Sequence, residues 1–193
     1  MQALRTVAAL YIDPRGPYPK MAGVDCWDEK RDARLFDGLC PVVAHPPCTH
    51  YGRLRHLAKR EDSDCAPLAV AVARSNGGVI EHPASSKLWD ICELPWPGEG
   101  FDRFGGHTVE VFQCEWGHAC RKRTWLYLVR TDEPISPPYP GRKPTHWIGG
   151  GRGRNEYESR RIPAGIKAAS SEISRRTPPL FAEHLVALAR SAF

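Results

Sequence analysis

Hydrophobic residues in this chain fall into short dense runs, each closed by proline, glycine or charge. Thr6 to Ile12 is the first, and it predicts a buried strand ending at Asp13-Pro14-Arg15-Gly16. A proline-studded loop follows over Pro17 to Gly23, and the charged run Asp28 to Phe36 predicts a short helix before Gly38. Val42 to Ala44 is β-branched enough for a second buried strand, which Pro46 and Pro47 must stop because two prolines cannot continue its ladder. Pro67 to Ser75 reads as a helix with proline in its first turn and Asn76-Gly77-Gly78 as its stop. Val79-Ile80-Glu81 is the third strand, and Thr108 to Cys114 and Thr124 to Val129 are the fourth and fifth. Phe181 to Ala192 is amphipathic at helical spacing, with Thr177-Pro178-Pro179 opening it. Strand, helix and strand in alternation predict an α/β domain whose sheet is largely parallel and flanked by helices.

Composition refines this picture. The 193 residues suit one domain, 1–193, and 18 prolines with 17 glycines call for many turns. Net charge is +5, and nine basic residues against three acidic ones between Arg142 and Arg176 account for it. That stretch lies in a basic Pro/Gly-rich loop spanning about 131–176 and suits a polyanion such as nucleic acid. No apolar run approaches the roughly 20 residues of a membrane span, and the N-terminal run is too short for a signal peptide. Seven irregularly spaced cysteines predict reduced thiols and a cytoplasmic setting.

The chemistry gathers at strand ends. Val42-Val43-Ala44-His45-Pro46-Pro47-Cys48 delivers a thiol from a buried strand on a stiff turn, and Glu81 closes the next strand. In an open α/β sheet, ligands bind in the crevice beyond the strand C-termini. Arg121-Lys122-Arg123 opens the fifth strand, so thiol, carboxyl and guanidinium groups each stand at a strand boundary. Together they suit attack on a pyrimidine. A thiolate adds to C6 and makes C5 nucleophilic, a carboxyl serves the N3 edge, and nearby positive charge favours thiolate over thiol.

In these residues the chain resembles the DNA cytosine-5 methyltransferases. Pro47-Cys48 is similar to the family's Pro-Cys motif, Glu81-His82-Pro83 to its Glu-Asn-Val motif, and Arg121-Lys122-Arg123 to its Gln-x-Arg-x-Arg motif. Arg176-Thr177-Pro178-Pro179 is similar to the Val-Pro-Pro turn that opens its final helix. The resemblance implies a Rossmann-like methyltransferase fold, with Cys48 as nucleophile, Glu81 as the N3 partner, and Arg121 and Arg123 as further catalytic groups. It also implies S-adenosylmethionine as donor, near Asp13, Asp25, Pro47, Thr177 and Pro178, and DNA as substrate. Arg53, Arg152, Arg154, Arg160 and Arg161 are the expected nucleic-acid contacts, through phosphates.

The first strand departs from the family, ending in one glycine and two prolines where the family has a Phe-x-Gly-x-Gly loop. A large target-recognition region is also missing, which leaves room for a homo-oligomer or a partner subunit. Two alternatives follow: a nucleic-acid-binding protein with a degenerate methyltransferase fold, or a pyrimidine-modifying enzyme with another donor. Locally, His45-x-x-Cys48-x-His50 and Cys114-x-x-x-His118-x-Cys120 hold zinc-ligand types, but neither forms a paired knuckle and no metal is expected.

Overall fold

The computed structural model describes residues 4–52, 55–57, 62–148 and 165–193. Six strands form one sheet: β1 (Val7–Leu10), β2 (Val24–Trp27), β3 (Val42–Ala44), β4 (Gly78–Pro83), β5 (Gly106–Phe112) and β6 (Arg123–Val129). Their spatial order is β2-β1-β3-β4-β6-β5. The first four run parallel, and β6 lies antiparallel between β4 and β5. The chain leaves β1 for β2 on one side and returns to β3 on the other, so the order reverses between β1 and β3. Crevices at such reversals are the usual ligand sites of open α/β sheets.

Two helical layers cover the sheet. On one face, α1 (Cys65–Asn76) and α2 (Leu88–Ile91) pack Ala66, Ala69, Val70, Ala73 and Trp89 over Ala44, Ile80, Trp125 and Tyr127. The small alanines let α1 settle close to the strands. After the five-residue α3 (Ser171–Arg175), the opposite face is covered by α4 (Pro179–Arg190), which packs Phe181, Leu185 and Leu188 over Val43, Val79, Leu126 and Leu128. Each of those large side chains contributes about 1.5–3 kcal/mol by leaving water. β1 is apolar at every position because it is covered on both faces.

Several boundaries differ from the sequence expectation, for local reasons. β1 stops at Leu10 because Tyr11 takes φ 58°, outside strand geometry. β2 falls between the expected loop and the expected helix, where no element was predicted; its four half-buried residues at the sheet edge carry no apolar alternation. The helix expected over Asp28 to Phe36 reduces to one tight turn at Ala33–Leu35. There the carboxylates of Asp28 and Asp32 take up backbone N–H groups that a helix would use, those of Lys30, Arg31 and Arg34. α1 begins two residues before Pro67, with Pro67 inside its first turn. Gly77 ends α1, its N–H bonding to the Ala73 carbonyl at 2.8 Å. Gly78 is no part of that stop. It opens β4 at φ +123°, where a Cβ would lie 2.0 Å from the Val42 carbonyl oxygen. The fourth expected strand is shifted to Gly106–Phe112, and Gln113–Trp116 turns away as a short helical turn. Between β6 and α3 the described chain is irregular except for β7 (His146–Trp147), paired with β8 (Lys167–Ala168). No helix among the described residues is long and apolar enough to cross a membrane.

Candidate active site

β3 and β4 are parallel neighbours, paired through Val42–Gly78, Val43–Val79 and Ala44–Ile80. Their exits therefore stand side by side. The His45 N–H still bonds to the Leu10 carbonyl at 3.1 Å, after which the prolines end the ladder. Cys48 then opens a turn, its carbonyl accepting from the N–H groups of Tyr51 (3.1 Å) and Gly52 (2.9 Å). The residue is exposed. Partial burial of its thiol and the charge of Glu81 push the Cys48 pKa up, against the opposing pull of Lys122 and Arg175.

Glu81 is the centre of a buried polar network. Its Oε2 lies 3.0 Å from His45 Nδ1, and its Oε1 accepts from Gln113 Nε2 at 2.7 Å. The same Gln113 amide donates to Thr124 Oγ1 at 3.0 Å, and that hydroxyl stands 3.5 Å from Glu81 Oε1. Burial pushes the carboxyl up, but the charge of Lys122 and the bond to His45 outweigh it and hold the pKa at about 2. Glu81 is therefore an ionised carboxylate inside the protein. On the far side of His45, Nε2 lies 2.6 Å from the Tyr18 hydroxyl. Burial and the Glu81 charge push the Tyr18 pKa up, so the phenol keeps its proton and donates it to Nε2, which leaves His45 Nδ1–H facing Glu81. Tyr18, His45 and Glu81 thus form a chain in which each group fixes the proton of the next.

Alternation decides most of which neighbours join. Thr124 precedes Leu126 and Leu128 at period two, on the face covered by α4, and Glu81 shares that face with Val79; Lys122 stands just before β6 at φ 33° and bears on Glu81 through its charge. Arg123 falls on the opposite face with Trp125 and pairs with Glu110 at 2.6 Å. Arg121 lays its guanidinium over the Phe112 ring at 4.1 Å. The expectation that Arg121 and Arg123 meet Cys48 and Glu81 is corrected accordingly: the cation that bears on both is Lys122, between them. On the other face of β4, His82 is fully buried between Tyr51 and Trp89, with ring centroids at 6.0 and 6.4 Å. Burial lowers its pKa to about 4. Glu81 and the Pro47 backbone pull the other way, without bringing either ring nitrogen to hydrogen-bond geometry among the described residues.

The residues expected around a cofactor are scattered. Asp13 lies past the end of β1 at the reversal point, and its carboxylate is bound by the Arg15 N–H (2.9 Å) and guanidinium (3.0 Å). Asp25 sits within β2, tied to Arg31 and to Trp27 Nε1 (2.8 Å). Pro47 adjoins Cys48, and Thr177 and the buried Pro178 lead into α4. The turn after β1 closes on itself, Gly16 N–H to the Asp13 carbonyl at 2.8 Å. Asp13 and Asp25 do not offer free carboxylates to S-adenosylmethionine, because each is paired with its own arginine, Arg15 and Arg31. Arg53, Arg152, Arg154, Arg160 and Arg161 lie outside the described residues.

The zinc-type spacings are drawn apart: His45 to Glu81 and Tyr18, His50 to Asp62, Cys114 to the Arg142 carbonyl (3.2 Å), and His118 to the Cys120 backbone. Among the described residues no three His, Cys, Asp or Glu side chains gather as a ligand set.

Sequence reasoning missed Tyr18, His45, Gln113, Lys122 and Thr124. A usable signal existed for Thr124, in its alternation with Leu126 and Leu128. Tyr18 and Gln113 come from segments with no periodicity to read. Class is defined by architecture alone: an α/β domain with a mostly parallel six-stranded sheet, compatible with a Rossmann-like fold, and a polar site at its strand ends. No protein-family model, curated protein or solved structure matches the chain.

Proposed function

We propose that this domain activates C5 of cytosine in DNA through a covalent adduct at Cys48, the chemistry shared with cytosine-5 methyltransferases. The observation that supports it most is that Cys48 follows β3 while an ionised, buried Glu81 lies in β4, one residue past the stretch paired with β3 and two residues before the strand ends at Pro83. Cys48 loses its proton to solvent, and its sulfur bonds to C6 while the C5–C6 electron pair moves to C5. Glu81 accepts a hydrogen bond from the exocyclic amine, and Lys122 steadies the negative charge on thiolate and ring. C5 then takes a proton from water; loss of the original hydrogen and departure of sulfur restore the double bond. The net reaction exchanges the C5 hydrogen with solvent. Asp13 and Asp25 offer no free carboxylate to a methyl donor, so the proposal extends to activation of C5 and includes no methyl-transfer step.

Tritium release from DNA carrying [5-3H]cytosine tests this directly. The wild-type protein is expected to release tritium, faster as pH rises because the Cys48 thiol must ionise from a raised pKa. Cys48→Ser is expected to release none. Absence of release by the wild type from both DNA and deoxycytidine nucleotides would sink the proposal. The raised thiol pKa favours a second reading, a domain that binds nucleic acid without chemistry, and that null result with retained DNA binding would select it.

A further inference from the structure

Two adjacent residue pairs each divide their side chains between the Glu81 site and a second cavity. Gln113 turns in to Glu81 while Phe112 turns out; Lys122 bears on Glu81 while Arg121 turns out. The outward residues meet Arg142 and Lys143 in a cleft of about 230 Å³. Three cations there face one carboxylate, Glu115, whose Oε1 already accepts the Gly141 N–H at 2.8 Å.

The charges are left open. Arg15, Arg31, Arg34 and Arg123 each pair with a carboxylate, whereas Arg121, Arg142 and Lys143 make no ion pair among the described residues. Arg121 and Arg142 are supported by aromatic rings instead, Phe112 at 4.1 Å and Tyr139 at 5.3 Å. Stacking fixes a guanidinium plane and leaves its edge donors free for an oxyanion. The wall is also preorganised. Tyr139 N–H bonds to the Glu115 carbonyl (3.1 Å), Arg142 N–H to the Tyr139 carbonyl (3.2 Å), and Cys114 Sγ to the Arg142 carbonyl. An anion entering the cleft has little loop to order.

We propose that this cleft binds the phosphodiester backbone of a DNA strand, next to the base held between Cys48 and Glu81. This rests on the pyrimidine reading of that site: a strand whose base sits there carries phosphates on either side of it, and the cleft's Phe112 and Arg121 are the chain neighbours of Gln113 and Lys122. An acidic peptide would satisfy the cleft's charge but gives no ring for the neighbouring site.

The test is fluorescence anisotropy of labelled single-stranded and duplex oligonucleotides across a salt series, with inorganic phosphate and polyglutamate as competitors. Arg142→Ala/Lys143→Ala is expected to weaken DNA binding about tenfold near 0.1 M salt and to flatten the log–log salt slope by about two. Its loss of tritium release is expected to be larger with DNA than with free deoxycytidine nucleoside, which brings no phosphate to the cleft. Arg121→Ala weakens binding further, while Arg121→Lys and Arg142→Lys retain the salt slope and serve where an alanine variant fails to fold. Unchanged affinity and slope overturn the proposal, as does displacement of DNA by polyglutamate at concentrations where phosphate has no effect. If no protein releases tritium but the slope still flattens, the chemistry falls and the cleft stands.

Discussion

Glu81 and His82 are consecutive in β4, equally enclosed, and opposite in what the fold does to their protons. Glu81 faces the α4 side, where His45, Gln113 and Lys122 surround it, and its pKa is held down at about 2. His82 faces the α1 side, among Tyr51 and Trp89, and burial lowers its pKa to about 4. Near neutral pH the first is charged and the second is not. Burial disfavours charge in both, so partners decide the outcome. One side of the strand is built to hold a charge and the other to exclude it.

The largest effect is expected from removing the held charge. Glu81→Ala leaves His45 and Gln113 without their shared acceptor and should destabilise the fold by about 3–5 kcal/mol, read as a fall in urea midpoint. A loss below about 1 kcal/mol would mean the network does not hold the two strand ends together.

Acid titration separates the two neighbours. His82 has an ordinary pKa of 6.5 and a folded one of about 4, so between these values the unfolded chain binds the proton and the folded chain does not. Stability is expected to fall as pH drops through that window, and to fall again between 4.5 and about 2 as Glu81 is protonated first in the unfolded chain. Each limb amounts to at most about 3 kcal/mol. His82→Phe, which keeps a ring between Tyr51 and Trp89, should erase the upper limb and leave the lower one. Persistence of both limbs in that variant would assign the upper one elsewhere.

The smallest expected effects sharpen the alternation itself. Lys122→Ala removes the charge that most lowers the Glu81 pKa, so the lower limb should still begin near 4.5 but end at a higher pH and shrink. Arg123→Ala breaks only a largely exposed pair with Glu110, should cost under about 1 kcal/mol, and should leave that limb in place. Identical titrations of the two variants would show that their side chains do not diverge.

Much of the sheet was legible in the sequence because buried strands announce themselves by composition. Val42–Ala44, Val79–Glu81 and Thr124–Val129 are dense and β-branched or aromatic, although β4 runs two residues further, through Pro83. The edge strand Val24–Trp27 was not legible, since a half-buried edge needs no apolar pattern, and the charged run after it lost its helix to aspartate side chains. The sequence by itself determined the alternating α/β order, the strand at whose end Cys48 is delivered, and the placement of Glu81 on the next strand. Only the tertiary structure decided that β6 enters antiparallel beside β4, and with it that the charge of Lys122 bears on Glu81 while Arg121 and Arg123 turn away. It also supplied His45, which with Lys122 keeps the buried carboxylate ionised, together with Gln113 bonded to that carboxylate and Tyr18 bonded to His45. Those outcomes depend on which strands become neighbours, and side chains some thirty residues apart gain a shared electrostatic environment only when the sheet closes around them.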